Sequence, residues 1–146
     1  MRLLAVAVAA TLLVVACGSD DNGDSPSSDT DTFVTGDVIA PPEAPPVSEL
    51  PANAILTVTL QDVSVADAPA MVLATQTIEL AGEQFPIPYE LAYSLGDIVA
   101  THTYSVASRV EAGGDQLMIS DTMTPVITRD APTSGVDMSL VYIASN

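Results

Sequence analysis

The sequence has few basic residues. It also has few of the cysteine, histidine and tryptophan side chains that often form catalytic, metal-binding or ligand-binding sites. It contains no lysine and no tryptophan, 1 cysteine and 1 histidine, and 3 basic against 19 acidic residues, for a net charge of −16. A lone cysteine excludes a disulfide framework within the chain. The negative charge repels the phosphates of nucleic acids, so nucleic-acid binding is excluded. Without tryptophan, the chain is poorly equipped to stack against sugar rings.

The acidic surface has two explanations. One is adaptation to salty surroundings, in which carboxylates stay solvated and salt shortens their mutual repulsion. The other is an acidic recognition patch. We favour the first explanation over an acidic recognition patch.

Residues 1–17 carry the pattern of a bacterial export signal. After Arg2, residues 3–16 form an almost entirely apolar run, too short to span a bilayer but of the length of a signal-peptide core. The run ends in Val14-Val15-Ala16-Cys17, which matches a lipobox: an apolar residue, then a small one, then the thiol that accepts the lipid. We therefore predict a signal peptide over residues 1–16 and lipidation of Cys17. The alternative is a plain secreted protein in which Cys17 is an ordinary thiol.

Residues 17–32 are predicted to be the lipidated cysteine and a disordered acidic tether. Between Gly18 and Thr32 there is no large apolar side chain to offset the entropy of ordering. Multiple acyl chains anchor a protein stably, so the membrane is a predicted partner through the lipid at Cys17. Cys17 is not followed by Asp, which retains lipoproteins in the inner membrane of many enteric bacteria. We therefore expect an exported protein on the periplasmic face of the outer membrane.

The tether also places oxygen-bearing side chains near the spacing of a calcium loop, at Asp20, Asn22, Asp24 and Asp31. The central position is Ser25 rather than the usual glycine, and no helix is predicted on either side. No metal site is therefore predicted.

The remaining residues, 33–146, are predicted to form one domain. A short β-prone run over residues 33–39 is separated from the main body, which begins near Leu50, by a proline-rich insertion over residues 40–49. Proline has no backbone N–H and is not accepted in helix interiors or central strands. The insertion is therefore predicted to be an extended connection.

Beyond Leu50 the apolar residues recur with a period of two, which is typical of strands buried on one face. Leu56, Val58 and Leu60 alternate with threonine and glutamine, and the same alternation recurs near residues 77–80, 103–111 and 137–142. Turn-forming residues separate these runs, and Gly113-Gly114 is a hairpin signal. The pattern predicts an all-β fold, a small antiparallel β-sandwich of about seven or eight strands.

One predicted strand carries aromatic residues on a single face. Its apolar face consists of Phe85, Ile87, Tyr89, Leu91 and Tyr93, and its other face includes Pro86 and Pro88. The two prolines remove backbone donors, so this strand is expected at a sheet edge. The simpler explanation is that they only block edge-to-edge aggregation. The functional alternative makes Phe85, Tyr89 and Tyr93 candidate partner-binding residues.

An enzymatic function has little support in the sequence. His102 lies near Tyr104 and Ser105 and has the chemistry of a general base, but no nucleophile motif accompanies it. A histidine with structural hydrogen bonds is the favoured interpretation. Asp62 and Asp67 bracket a predicted turn and are expected to cap backbone amides there rather than to bind a metal. No catalytic residue and no cofactor is predicted.

Several stretches of the chain resemble the YbaY family of lipoproteins, which are grouped with the type III secretion pilotin YscW. The longest is LPANAILTVTLQDVSVADAP over residues 50–69, followed by FPIPYEL at 85–91, HTYSV at 102–106, DT at 121–122 and PVITR at 125–129. The resemblance extends from about Val34 to Ile143. The proline-rich insertion departs from the family pattern and leaves the pairing of the first strand open.

The resemblance implies a small β-sandwich and, for pilotin members of the family, a carrier function. A pilotin binds a secretin subunit in the periplasm and uses its own lipid to take that subunit to the outer membrane. We therefore expect a non-catalytic, pilotin-like or chaperone-like binding module whose partner is a secretin or another envelope protein. The alternatives are a passive structural envelope lipoprotein and, with least support, a hydrolase.

Overall fold

The computed structural model describes residues 31–42, 50–81 and 83–143. These residues form eight β-strands and a short 3-10 turn over Leu95–Asp97. The strands are β1 (Asp31–Ile39), β2 (Ile55–Asp62), β3 (Met71–Glu79), β4 (Ile87–Ser94), β5 (Tyr104–Ala112), β6 (Asp115–Ser120), β7 (Thr124–Val126) and β8 (Met138–Tyr142). The predicted all-β class and the predicted number of strands are confirmed.

The strands form one continuous sheet in the order β3-β2-β5-β6-β8-β1-β4, with β7 paired to β5. Neighbouring strands are antiparallel except β1 and β8, which pair in parallel through Val38–Met138 and Ile39–Ser139. This parallel pair is a departure from a purely antiparallel sandwich. It arises because β1 lies between β4 and β8, which are far from it in sequence, so no tight hairpin dictates the direction of pairing.

The sheet curls until its two end strands, β3 and β4, approach each other. Strands twist in a fixed sense, and the accumulated twist brings the two ends of a long sheet together. Across the gap, the backbone N–H of Glu90 donates to Oε1 of Gln76 at 2.8 Å. The two layers of the sandwich are therefore joined through β8 on one side and nearly closed by this side-chain contact on the other.

The interior is filled by the apolar face of each strand. Leu56, Val58 and Leu60 are fully buried, as the alternation in β2 predicts. The complete buried apolar set is Val34, Val38, Ala54, Leu56, Val58, Leu60, Leu80, Ile87, Tyr89, Leu91, Tyr93, Tyr104, Val106, Val110, Ala112, Met118, Val126, Val136, Met138 and Leu140. Burying one such aliphatic side chain contributes about 1.5–3 kcal/mol to folding, so this core is the main stabilising element.

Ser105 departs from the alternation, since it is buried although its neighbours Tyr104 and Val106 occupy the inward face of β5. The short strand β7 pairs with β5 at this point and brings the carbonyl oxygen of Thr124 to 3.1 Å from the Ser105 hydroxyl. The hydroxyl is thus buried with a hydrogen-bond partner.

The boundaries of the predicted segments need one correction. β1 begins at Asp31, so Asp31 and Thr32, which were assigned to the tether, belong to the first strand and pair with Ser94 and Tyr93 of β4. The pairing with β4 orders two residues whose composition alone indicated disorder. The signal peptide, Cys17, the rest of the tether with its calcium-like residues, and residues 43–49 of the proline-rich insertion lie outside the described residues.

Candidate functional site

The predicted partner-binding strand, β4, lies at one end of the sheet path, so its predicted edge position is confirmed. Its aromatic side chains, however, point into the core. Tyr89 is 3% exposed and Tyr93 is 6% exposed, and Phe85 is partly buried against the same core. Tyr89 and Tyr93 are therefore not accessible to a partner in the folded domain, whereas Phe85 keeps part of its surface exposed. Their face is the one large apolar face of the strand, and burying it is worth more than exposing it.

Tyr89 has a structural partner within the fold. Its hydroxyl donates to the carbonyl oxygen of Val136 at 2.6 Å. Burial raises the pKa of the phenol, and the nearby Asp137 and Asp37 carboxylates raise it further, so Tyr89 stays a neutral donor. The same Val136 backbone lies against Gly36 of β1, where there is no room for a side chain. Together these contacts hold the segment before β8 against β1 and β4.

An open cavity of about 560 Å³ lies beside the outward face of β4 and the closing contact with β3. Its lining includes the carboxylates Asp37, Glu90 and Asp137, with Gln76 and Pro88. Three carboxylates around one opening disfavour an anionic ligand. Among the residues that the structure describes, no group of three or more His, Cys, Asp or Glu side chains is arranged to hold a metal ion.

His102 lies in the loop before β5 and contacts the end of β2. Its Nδ1 is 2.6 Å from Oδ2 of Asp62, and its side chain is 41% exposed. The other oxygen of Asp62 accepts the backbone N–H of Ser64 at 2.9 Å and also the Ser64 hydroxyl. His102 thus makes a hydrogen bond of the structural kind expected of it, and Asp62 accepts a backbone amide as predicted. Asp67 lies further along the same loop with a φ of 61°.

The electrostatics of this cluster are set by Asp62. The hydrogen bond from the Ser64 hydroxyl is the main cause that lowers the pKa of the Asp62 carboxyl. Desolvation raises this pKa, and the hydrogen bonds from the Ser64 amide and His102 lower it further. An ionised carboxylate only accepts hydrogen bonds, so Nδ1 of His102 carries the proton in this pair. The Ser64 hydroxyl donates to Asp62 rather than to the imidazole. The three side chains therefore do not form a relay that activates a nucleophile.

A third loop, after β7, completes this end of the molecule. Thr128 donates from its hydroxyl to the carbonyl oxygen of His102 at 2.8 Å, and Arg129 donates to that of Thr101 at 3.3 Å. The loop turns sharply, because the N–H of Thr128 bonds to the carbonyl of Val126 at 2.8 Å around Ile127, whose φ is 71°. This is the strained form of a three-residue turn, and for a β-branched residue such a φ is rare.

We call this end of the sheet the loop end; it comprises residues 62–71, 95–103 and 127–131. The sequence pattern does not reveal it as a unit. Asp62 and Asp67 are recognisable as turn residues, but nothing in the local pattern indicates that residues 40 positions apart, such as Asp62 and His102, are in contact.

Comparison with known proteins places this fold in a family. The family of type III secretion system lipoprotein chaperones, YscW, matches residues 31–140. The chain belongs to the YscW family. The resemblance found in the sequence is thereby confirmed, and a family of lipoprotein chaperones points to a protein without enzymatic activity.

Two similar proteins add detail to the YscW assignment. An alternative pilotin from the type II secretion system of Vibrio cholerae has a solved structure with a TM-score of 0.71 and 41% identity, covering 79% of this chain and 99% of that chain. YbaY, an uncharacterized lipoprotein of Escherichia coli strain K12, is 33% identical over 94 residues, which are 64% of this chain and 48% of YbaY. The match thus spans about half of the length of YbaY.

Membership of the YscW family indicates an exported, lipid-anchored envelope protein. Within the described ranges, no helix has the length and apolar character needed to cross a membrane.

Proposed function

We propose that this protein is a non-catalytic carrier, lipid-anchored at Cys17, that binds a segment of another envelope protein at the periplasmic face of the outer membrane. The match to the lipoprotein chaperone family over residues 31–140 is the observation that carries this proposal. The 41% identity to an alternative pilotin of a type II secretion system supports it further.

Three parts of the chain divide the work of such a carrier. The lipid on Cys17 holds the protein at the membrane, since two or more acyl chains anchor stably. Residues 18–30 link it to β1, which begins at Asp31. The β-domain binds the partner. Gly18, rather than Asp, follows Cys17, which supports sorting to the outer membrane.

The partner in this proposal is a secretin subunit or another envelope protein with an equivalent segment. Pilotins of this family act by binding such a subunit and delivering it with their own lipid. Hydrolysis is disfavoured by the geometry at His102, because the Ser64 hydroxyl and the imidazole both bond to Asp62 instead of to each other.

In-cell crosslinking of the full-length protein tests the carrier function. The wild type is compared with Cys17→Ala, which removes the acyl acceptor, and with the control Ser19→Ala, which leaves it in place. We expect palmitate labelling to disappear only in Cys17→Ala. We also expect the same envelope protein to be crosslinked in both variants, but to reach the outer membrane only in Ser19→Ala.

Two results contradict the proposal. If Cys17→Ala still sediments with carbonate-washed membranes, the lipid anchor is wrong. If no envelope protein is crosslinked to the wild type and deletion only weakens the envelope, the passive structural lipoprotein is the better account.

A further inference from the structure

Exposed apolar side chains gather at the loop end. Val65, Met71, Leu95 and Val99 are large apolar residues with 47% to 71% of their surface exposed. Single exposed apolar residues are ordinary, but a contiguous group of them marks an interaction site more often than not.

The pairing of the strands and the hydrogen bonds of the loops place these residues at the same end of the sheet. Met71 is paired with Asp62, and Asp62 is paired with Tyr104, so the three lie in a row across β3, β2 and β5. Adjacent strands are about 5 Å apart, which places Met71 and Tyr104 about 10 Å apart. Val65 lies in the loop between Asp62 and Met71. Val99 lies above Tyr104, because its backbone N–H bonds to the Tyr104 hydroxyl at 2.9 Å.

Leu95 joins the same group through the loop that follows β4. The N–H of Ile98 bonds to the carbonyl oxygen of Leu95 at 3.2 Å, and Val99 is the next residue. Val65, Met71, Leu95 and Val99 thus lie at one end of the sheet.

The loops that carry this group are tied to one another. The N–H of Val63 donates to the carbonyl oxygen of Thr103 at 2.9 Å, and His102 joins Asp62 on one side and Thr128 on the other. A surface held in place before binding loses less conformational entropy when a partner arrives. This pre-ordering is what a docking surface needs.

The charge at the loop end indicates the kind of partner. Residues 62–71, 95–103 and 127–131 contain four aspartates, at 62, 67, 97 and 130, against one arginine, Arg129. Asp67 and Asp97 are exposed beside the apolar side chains, and the whole chain has a net charge of −16. Such a surface attracts cationic side chains and repels an anionic lipid surface.

We propose that the loop end docks a short amphipathic segment of the carried protein, with aliphatic side chains on one face and Lys or Arg at its flanks. The proposal rests on the carrier function proposed above and names the partner chemistry and the surface used. The aliphatic side chains pack on Val65, Met71 and Val99, and the basic flanks pair with Asp67 and Asp97. The loop end would recognise the apolar face of the segment and the charges that flank it.

Photocrosslinking in cells tests the surface directly. The full chain carries a benzophenone side chain at Val65, Met71 or Val99, or at the control positions Ile39 and Met123, which are also exposed apolar residues. Ile39 lies at the other end of β1 from Asp31, which pairs with Ser94 beside the loop end. We expect adducts from the three loop-end positions only, with an attached peptide that is amphipathic and contains Lys or Arg.

A synthetic copy of the attached peptide then measures affinity. The triple variant Val65→Ser, Met71→Ser, Val99→Ser should bind it at least about tenfold more weakly, and the control Ile39→Ser, Met123→Ser should differ by less than about twofold. Replacing the basic residues of the peptide by Gln should also weaken binding, with a loss that shrinks at high salt.

Other adducts overturn the docking proposal. Lipid at the loop-end positions would assign the surface to the membrane, and a peptide of this same chain would assign it to the N-terminal segment or to a second copy. An envelope protein attached only at Ile39 or Met123 would leave the carrier function standing and move the surface elsewhere. No envelope protein at any position would remove the carrier function itself.

Discussion

Gly36 is a residue at which packing admits no side chain. A Cβ at this position would lie 2.0 Å from the carbonyl oxygen of Val136, which is backbone and cannot rotate away. Gly36→Ala should therefore lower the free energy of unfolding by at least about 3 kcal/mol or prevent folding. In Gly96→Ala the nearest atom is the Ser94 hydroxyl at 3.5 Å, an ordinary contact, and the change should stay within about 0.5 kcal/mol. Urea unfolding followed by circular dichroism measures both, and equal losses would contradict the close approach of β1 to the segment before β8.

Asp62 makes the stability of the loop end depend on pH. The pKa of its carboxyl is held below its ordinary value in the folded protein, chiefly by the Ser64 hydroxyl. The resulting stabilisation is present above that value and is lost as the pH falls through the lower folded pKa. At pH 7, Asp62→Asn should lower the free energy of unfolding by about 1–2 kcal/mol, because hydrogen bonds to a charged acceptor are lost.

The pH dependence of that difference is the decisive measurement. The gap between wild type and Asp62→Asn should narrow as the pH is lowered from 5 towards 2, since the wild-type carboxyl is then protonated as well. Asp67→Asn, an exposed change in the same loop, serves as the control and should have a small effect at pH 7. A gap that stays constant down to pH 2 would show that Asp62 does not act through its charge.

At the scale of elements, the alternation of apolar and polar residues in β2 predicts which positions are buried. Leu60 is fully buried, whereas Thr59 on the opposite face makes only a long 3.4 Å hydrogen bond to the carbonyl oxygen of Ala107. Leu60→Ala should lower the free energy of unfolding by about 2–5 kcal/mol, because it leaves a cavity in the core. Thr59→Ala should lower it by less than about 1 kcal/mol. Similar losses at the two positions, measured by denaturant unfolding, would contradict the assigned faces.

The turns between strands show which backbone conformations the local sequence can predict. Gly113 and Gly114 have φ values of 61° and 94°, as the predicted tight hairpin between β5 and β6 requires. The turn after β7 was not predicted. Ile127, Arg129 and Asp130 adopt positive φ there, and the sequence lacks the glycine that would signal such a turn. Contacts with the loop that contains His102 hold that backbone in place, and such contacts are absent from any local pattern.

At the scale of the whole molecule, the dominant physical property is charge. A net charge of −16 makes the folded state repel itself, and salt weakens that repulsion because the screening length falls from about 10 Å at 0.1 M to about 3 Å at 1 M. The melting temperature should therefore rise by several degrees between about 20 mM and 0.5 M NaCl. KCl at equal concentration should act alike. A melting temperature that falls with salt would mean that attractive ion pairs outweigh the repulsion.

The sequence by itself determined the class of the fold and the identity of its core. The period of two divides each strand into two faces, and the apolar face is buried wherever water can be excluded, as in β2 and β4. The two prolines of the Phe85–Tyr93 segment also placed β4 correctly at the end of the sheet, because proline removes ladder donors. The family resemblance was also visible in the sequence, since the matching stretches follow the strands and turns of the domain.

The tertiary structure alone decided which surface is available to a partner. Alternation identifies an apolar face but not whether another strand covers it. Tyr89 and Tyr93, named as candidate partner-binding residues, lie in the core. The loop end is the reverse case, a surface that the sequence pattern does not reveal. Val65, Met71 and Val99 belong to separate stretches of sequence, and the pairing of β3, β2 and β5 places them at one end of the sheet. Contacts between distant residues depend on how the sheet curls, which no local pattern contains.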